Sequence, residues 1–87
     1  MKTGRLSRSD GIIADRVELE IRPDHRRSDG REGWYGEAWL STDVIVIPGE
    51  HLQLHIDGGD AEEVVVDRVT VDSRAGRMLV RFHPVNV

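Results

Sequence analysis

The chain has 87 residues, enough for one domain with a single modest core. Aromatic residues are only 5% of the chain and cysteine is absent, so the core must come from Val, Ile and Leu; disulfides, thiolate nucleophiles and cysteine zinc sites are excluded. The net charge of −4 is uneven, with most cations before Glu32 and most carboxylates after it, an arrangement that disfavours duplex nucleic acid but leaves room for a local anion site.

Residues 1–10, M-K-T-G-R-L-S-R-S-D, are basic and polar without apolar periodicity and read as a flexible N-terminal arm ahead of a single domain over 11–87. No stretch approaches the ~20 apolar residues of a membrane-spanning helix, so a cytoplasmic protein without membrane contact is expected. Gly11 to Ala14 can begin a strand. From Arg16 to Arg22 the alternation is clean, with Val17, Leu19 and Ile21 on one face and charged residues on the other.

Pro23 to Gly33 has Pro and Gly at its ends and no apolar residue inside. At about eleven residues it exceeds an ordinary hairpin connection of about two to five, as functional loops often do. Trp34 to Leu40 follows as a strand. If Ala38 and Leu40 face inward, Tyr35 and Trp39 form an aromatic pair on the outer surface, beside Glu37.

After a turn at Ser41-Thr42-Asp43, Val44 to Ile47 is β-branched throughout, and Val44 to Ile56 reads as the centre of the sheet, covered on both faces at Val44–Ile47. Ile47-Pro48-Gly49-Glu50 has the residue order of a type II turn. His51 to Ile56 then alternates, with Leu52, Leu54 and Ile56 sharing a face. Asp57-Gly58-Gly59-Asp60 signals a hairpin. In the strand beginning near Glu63, Val64 and Val66 have one parity and Val69 and Val71 the other, which requires a β-bulge near Asp67-Arg68. Asp72 to Gly76 turns the chain into a last strand, Arg77 to His83, with Met78, Val80 and Phe82 inward and Pro84 ending its pairing. These elements predict an all-β fold, a small antiparallel β-barrel or strongly bent sheet of five to six strands.

His51 and His55 would chelate a metal on a helix, but on a strand they stand roughly 13 Å apart, so no metal site is expected. The chain lacks G-x-S-x-G, H-E-x-x-H and a glycine-rich phosphate loop before a helix. Neither enzyme activity nor a cofactor is therefore expected. The strongest constellation is Arg26, Arg27 and Arg31, followed by Trp34, Tyr35 and Trp39. Guanidinium forks bind phosphate and aromatic rings stack on bases, so these six residues are the candidate ligand-binding set; the competing view is a solvated loop beside tryptophans that pack a barrel end.

Arg26-Arg27-Ser28-Asp29-Gly30-Arg31 resembles the R-R-x-x-x-R motif of PilZ domains, and P-G-E-H-L-Q-L and the C-terminal V-R-F look like later strands of that family. The resemblance implies a bacterial-type regulatory barrel that binds cyclic di-GMP. It carries one further residue over, Ser41, because Trp39 and Val44 replace the acid and the glycine of the family's second motif. From the residues themselves, the expected function is a non-catalytic interaction module with a protein partner, acting through sheet edges or the aromatic face. Pairing of edges could also give a homodimer. The alternative is a degenerate PilZ-like barrel that binds cyclic di-GMP or another nucleotide through the Arg26–Arg31 loop.

Overall fold

The computed structural model describes residues 2–24, 33–59 and 61–85. Six strands, β1 (Lys2–Arg8), β2 (Gly11–Asp24), β3 (Gly33–Ser41), β4 (His51–Ile56), β5 (Ala61–Asp72) and β6 (Arg77–Pro84), form a closed antiparallel barrel in the order β1-β2-β3-β6-β5-β4. The all-β barrel expected from alternation is the fold observed. Its core is aliphatic except for Phe82, and is built from inward residues of every strand, including Leu6, Leu19, Leu54, Val64 and Val80.

Residues 2–8 of the expected arm are instead a strand, Lys2–Arg8, that closes the barrel by pairing with β2 on one side and β4 on the other. Its inward residues are Gly4 and Leu6, the latter fully buried. One large apolar residue among charged and hydroxyl neighbours leaves no hydrophobic period to detect; membership of the barrel comes from ladder hydrogen bonds on both edges.

Val44 to Ile47 is likewise not a central strand. The connection from β3 to β4 joins two strands that are not neighbours in the ring, so it must cross the end of the barrel. There Val46 is buried and Val44 packs against the core, while Ile45 and Ile47 are 77% and 60% exposed. The β-branched run thus serves as an end cap, because the core-facing ladder positions are already occupied by six other strands. The following turn is as expected: Glu50 N–H donates to the Ile47 carbonyl at 3.2 Å, and Gly49 takes φ +89°, which a side chain would resist. Leu52 and Leu54 then enter the core from β4.

The cap is lashed down by Arg8 at the end of β1. Its guanidinium forms an ion pair with Glu50 and donates to the Ile45 carbonyl, while Glu50 also accepts from Ile47 N–H at 3.3 Å. The hydrogen bond to Arg8 is the main reason that the Glu50 carboxyl lies below its ordinary pKa; partial burial opposes it and the Ile47 N–H assists.

Bulges let long strands serve two neighbours in a small ring. In β5, Val66 faces Phe82 and Arg68 faces Arg81, leaving Asp67 without a partner position. This is the break that the parity of its valines requires, and Asp67 uses it to reach His83 Nδ1 at 2.6 Å. β2 pairs with β1 over its first part and with β3 over its second, and its register shifts beside Arg16, whose φ of 51° is left-handed. The β5–β6 pairing continues slightly past the expected stop, with Pro84 opposite Val64 and Val85 N–H donating to the Glu63 carbonyl at 3.1 Å. Proline removes only its own donor, so the next residue can resume the ladder.

Candidate interaction face

The outward residues of β3 and β6 are brought together by the β3–β6 register, which sets Glu37 opposite Arg81, Trp39 opposite Leu79 and Ser41 opposite Arg77. Each outward aromatic of β3, Tyr35 and Trp39, consequently has an arginine diagonal to it, within reach of a long side chain. The Arg77 guanidinium carbon lies 4.1 Å from the Trp39 ring centroid, and that of Arg81 lies 4.1 Å from the Tyr35 centroid. Cation–π attraction holds each pair, at about 0.5–1 kcal/mol for an exposed site. Trp39 remains 37% exposed despite this cover.

The same level of the sheet shows a division of charge. Across β2, β3, β6 and β5 the paired outward residues run Glu20, Glu37, Arg81, Arg68. Arg22 forms an ion pair with Glu20 and approaches Glu37 at 3.6 Å. Its guanidinium is held above its ordinary pKa, chiefly by the hydrogen bond to Glu20. Among the described residues, by contrast, no carboxylate lies within ion-pair distance of Arg68, Arg77 or Arg81. Glu18, Glu20, Glu37, Arg22, Trp39 and Leu79 line a shallow groove of about 220 Å³ on the acidic side.

The chain matches no known family model, no curated protein and no solved structure in these comparisons.

The sequence-predicted site residues do not all meet on this face. Tyr35 and Trp39 do, both on the outer surface as alternation requires, with Glu37 between them and roughly 13 Å of strand separating them. Trp34 faces inward instead, packed against the core with its ring edge-on to Phe82 at a centroid distance of 6.3 Å. Ser41 is exposed at the opposite end of β3 from Gly33, eight residues and roughly 26 Å along the strand. Arg26, Arg27 and Arg31 lie outside the described residues; the connection that contains them leaves β2 at Asp24 and enters β3 at Gly33, which are paired with each other. Ser41 is therefore at the far end of the barrel from both attachment points of that connection.

His51 and His55 lie on β4 as expected and have separate neighbours. His51 Nδ1 is 3.3 Å from Glu63 Oε1, and His55 Nδ1 is 3.4 Å from an Arg5 nitrogen. Among the described residues no group of three or more His, Asp or Glu side chains is placed to hold a metal ion. The residues that pattern reading misses are Arg77 and Arg81. Their outward parity in β6 is visible in the sequence, but their aromatic partners depend on the pairing of two strands distant in the chain.

Proposed function

We propose that this barrel is a non-catalytic interaction module that binds a protein partner through the outer face of β3 and β6. The observation that carries the proposal is the pair of arginine–aromatic stacks, Arg77 on Trp39, which is exposed, and Arg81 on Tyr35, which is half-buried, with no carboxylate within ion-pair distance of either arginine among the described residues. Arginine and aromatic side chains supply most of the strong contacts at protein interfaces, where both offer large flat surfaces to a partner. Stacking also orients each guanidinium, so that less entropy is lost when its edge meets a carboxylate or carbonyl.

A photo-reactive phenylalanine analogue in place of Trp39 tests this in cells. Ultraviolet illumination should yield protein adducts from position 39 and few from the same analogue at Gln53, an exposed position on β4. Equal yields from the two positions would refute an interaction surface at β3 and β6.

A further inference from the structure

The charges of the β3–β6 face contain information about what covers it. Its left half, on β2 and β3, carries Glu18, Glu20 and Glu37 against one cation, Arg22, which pairs with Glu20; its right half, on β6 and β5, carries Arg81, Arg68 and Arg77 against one carboxylate, Asp72, at the register position opposite Arg77. Arg68 and Arg81 stand directly opposite each other across the β5–β6 ladder. Like charges in that relation repel, and among the described residues no carboxylate lies close enough to neutralise either. Glu37, although opposite Arg81, is beyond ion-pair distance from it and approaches Arg22 instead.

We propose that the surface completing this face is a second copy of the same chain, related by a two-fold axis that lies in the contact plane and runs parallel to β3 and β6. The inference rests on the preceding reading of this face as the contact surface. Rotation by a half-turn about that axis exchanges left and right while leaving each residue's level along the strands unchanged. Glu37 of one copy then faces Arg81 of the other, Glu20 is directed toward Arg68, and Trp39 comes over Leu79. Every such contact occurs twice, as an isologous interface requires.

Other occupants satisfy only one half. A polyanion finds the arginines of β5 and β6 and is repelled by Glu18, Glu20 and Glu37, whereas a basic peptide finds those glutamates, one of them already paired with Arg22, and is repelled by Arg68, Arg77 and Arg81. A bipolar surface is needed, and this face is itself one. Because the barrel is convex, close contact is limited to the central strands and their immediate neighbours. A small, reversible interface held by charge follows, one that weakens with salt as the screening length shortens to about 10 Å at 0.1 M.

Sedimentation velocity of the full chain tests the inference through a charge exchange. The unaltered chain should dimerise reversibly, and raising the salt from low to high should weaken association at least about tenfold. Glu37→Arg places only cations at the centre of the row and Arg81→Glu only anions, so each chain alone should be monomeric. Their equimolar mixture should dimerise, because both cross-contacts are again between opposite charges. Arg68→Glu, which disturbs no aromatic stack, provides the same exchange with Glu20→Arg if Arg81→Glu fails to fold. A wild-type chain that stays monomeric at low salt, a dimer unaffected by either single reversal, or a mixture that fails to associate while both chains remain folded would each overturn the proposal. If the chain is monomeric yet position 39 still crosslinks another protein, the second-copy inference fails and the interaction face survives; loss of those adducts as well removes both.

Discussion

Gly36 of β3 lies directly against the ring of Phe82 on β6, so closely that a Cβ at position 36 would stand 2.4 Å from the ring's Cε2 and 2.5 Å from its Cζ. The two residues are paired in the β3–β6 ladder, and both are buried. Phe82 is the largest fully buried side chain of the core, and the missing side chain at 36 is the space its ring fills. Gly36→Ala should therefore destabilise the fold by about 1–3 kcal/mol through overpacking, read as a lower urea midpoint with an unchanged slope. Adding Phe82→Leu should make the cost of Gly36→Ala smaller than it is alone, since the clash is then removed. Independent, additive effects of the two changes would contradict this packing.

Acid should loosen the cap through Glu50. Its carboxyl pKa is lower in the folded chain, principally because Arg8 donates to it. A lowered folded value means that its contribution to stability is complete above the unfolded carboxyl pKa of about 4.3 and is lost as pH falls through the folded value. Glu50→Gln should cost about 1 kcal/mol at pH 7, given two partly exposed partners. The gap between the urea midpoints of wild type and Glu50→Gln should narrow as pH falls below about 4.3. A gap that is constant from neutral to strongly acidic pH would mean that the ion pair contributes nothing to folding.

Within Val44–Ile47 the mutational response should alternate. Val46 is buried and Ile45 is largely exposed, so Val46→Ala should cost about 1–2 kcal/mol and Ile45→Ser no more than about 0.5 kcal/mol. Amide exchange gives a second test. Leu52 and Leu54, held in ladders within the barrel, should exchange only on global opening, whereas Ile45 and Val46, outside any strand, should exchange faster. Equal protection of all four would require the cap to be a paired strand.

Nucleotide binding is the principal competitor to a protein partner, and calorimetry separates them. Titration of the chain with cyclic di-GMP at low salt should produce neither heat nor quenching of tryptophan fluorescence. Binding that weakens with salt and disappears on replacing Arg27 and Arg31 by Glu would assign the barrel a nucleotide ligand instead.

Much of the fold is present in local pattern, because the two-residue period of side chains belongs to a single strand and needs no partner to be seen. Val17 and Leu19, Ala38 and Leu40, Leu52 and Leu54, and Met78, Val80 and Phe82 all face the core as their parity requires. Even the bulge at Asp67 is legible, since Val64 and Val66 cannot share a face with Val69 in an unbroken strand. Two elements escape this logic for opposite reasons. Lys2–Arg8 has too few apolar residues to announce a strand, and Val44–Ile47 has so many that it announces one where the chain only crosses a barrel end. In both cases the outcome depends on which ladder edges remain available after the other strands have paired, a property of the closed ring and not of the segment. The candidate face follows the same division. Outward placement of Tyr35 and Trp39 is determined by alternation, but their stacking with Arg81 and Arg77, and the separation of acidic from basic halves, exist only once β3 and β6 are paired in one register. A shift of one residue would turn the outward side chains of one strand against the core, so it is burial of Phe82 over Gly36 that holds the arginines beside their rings.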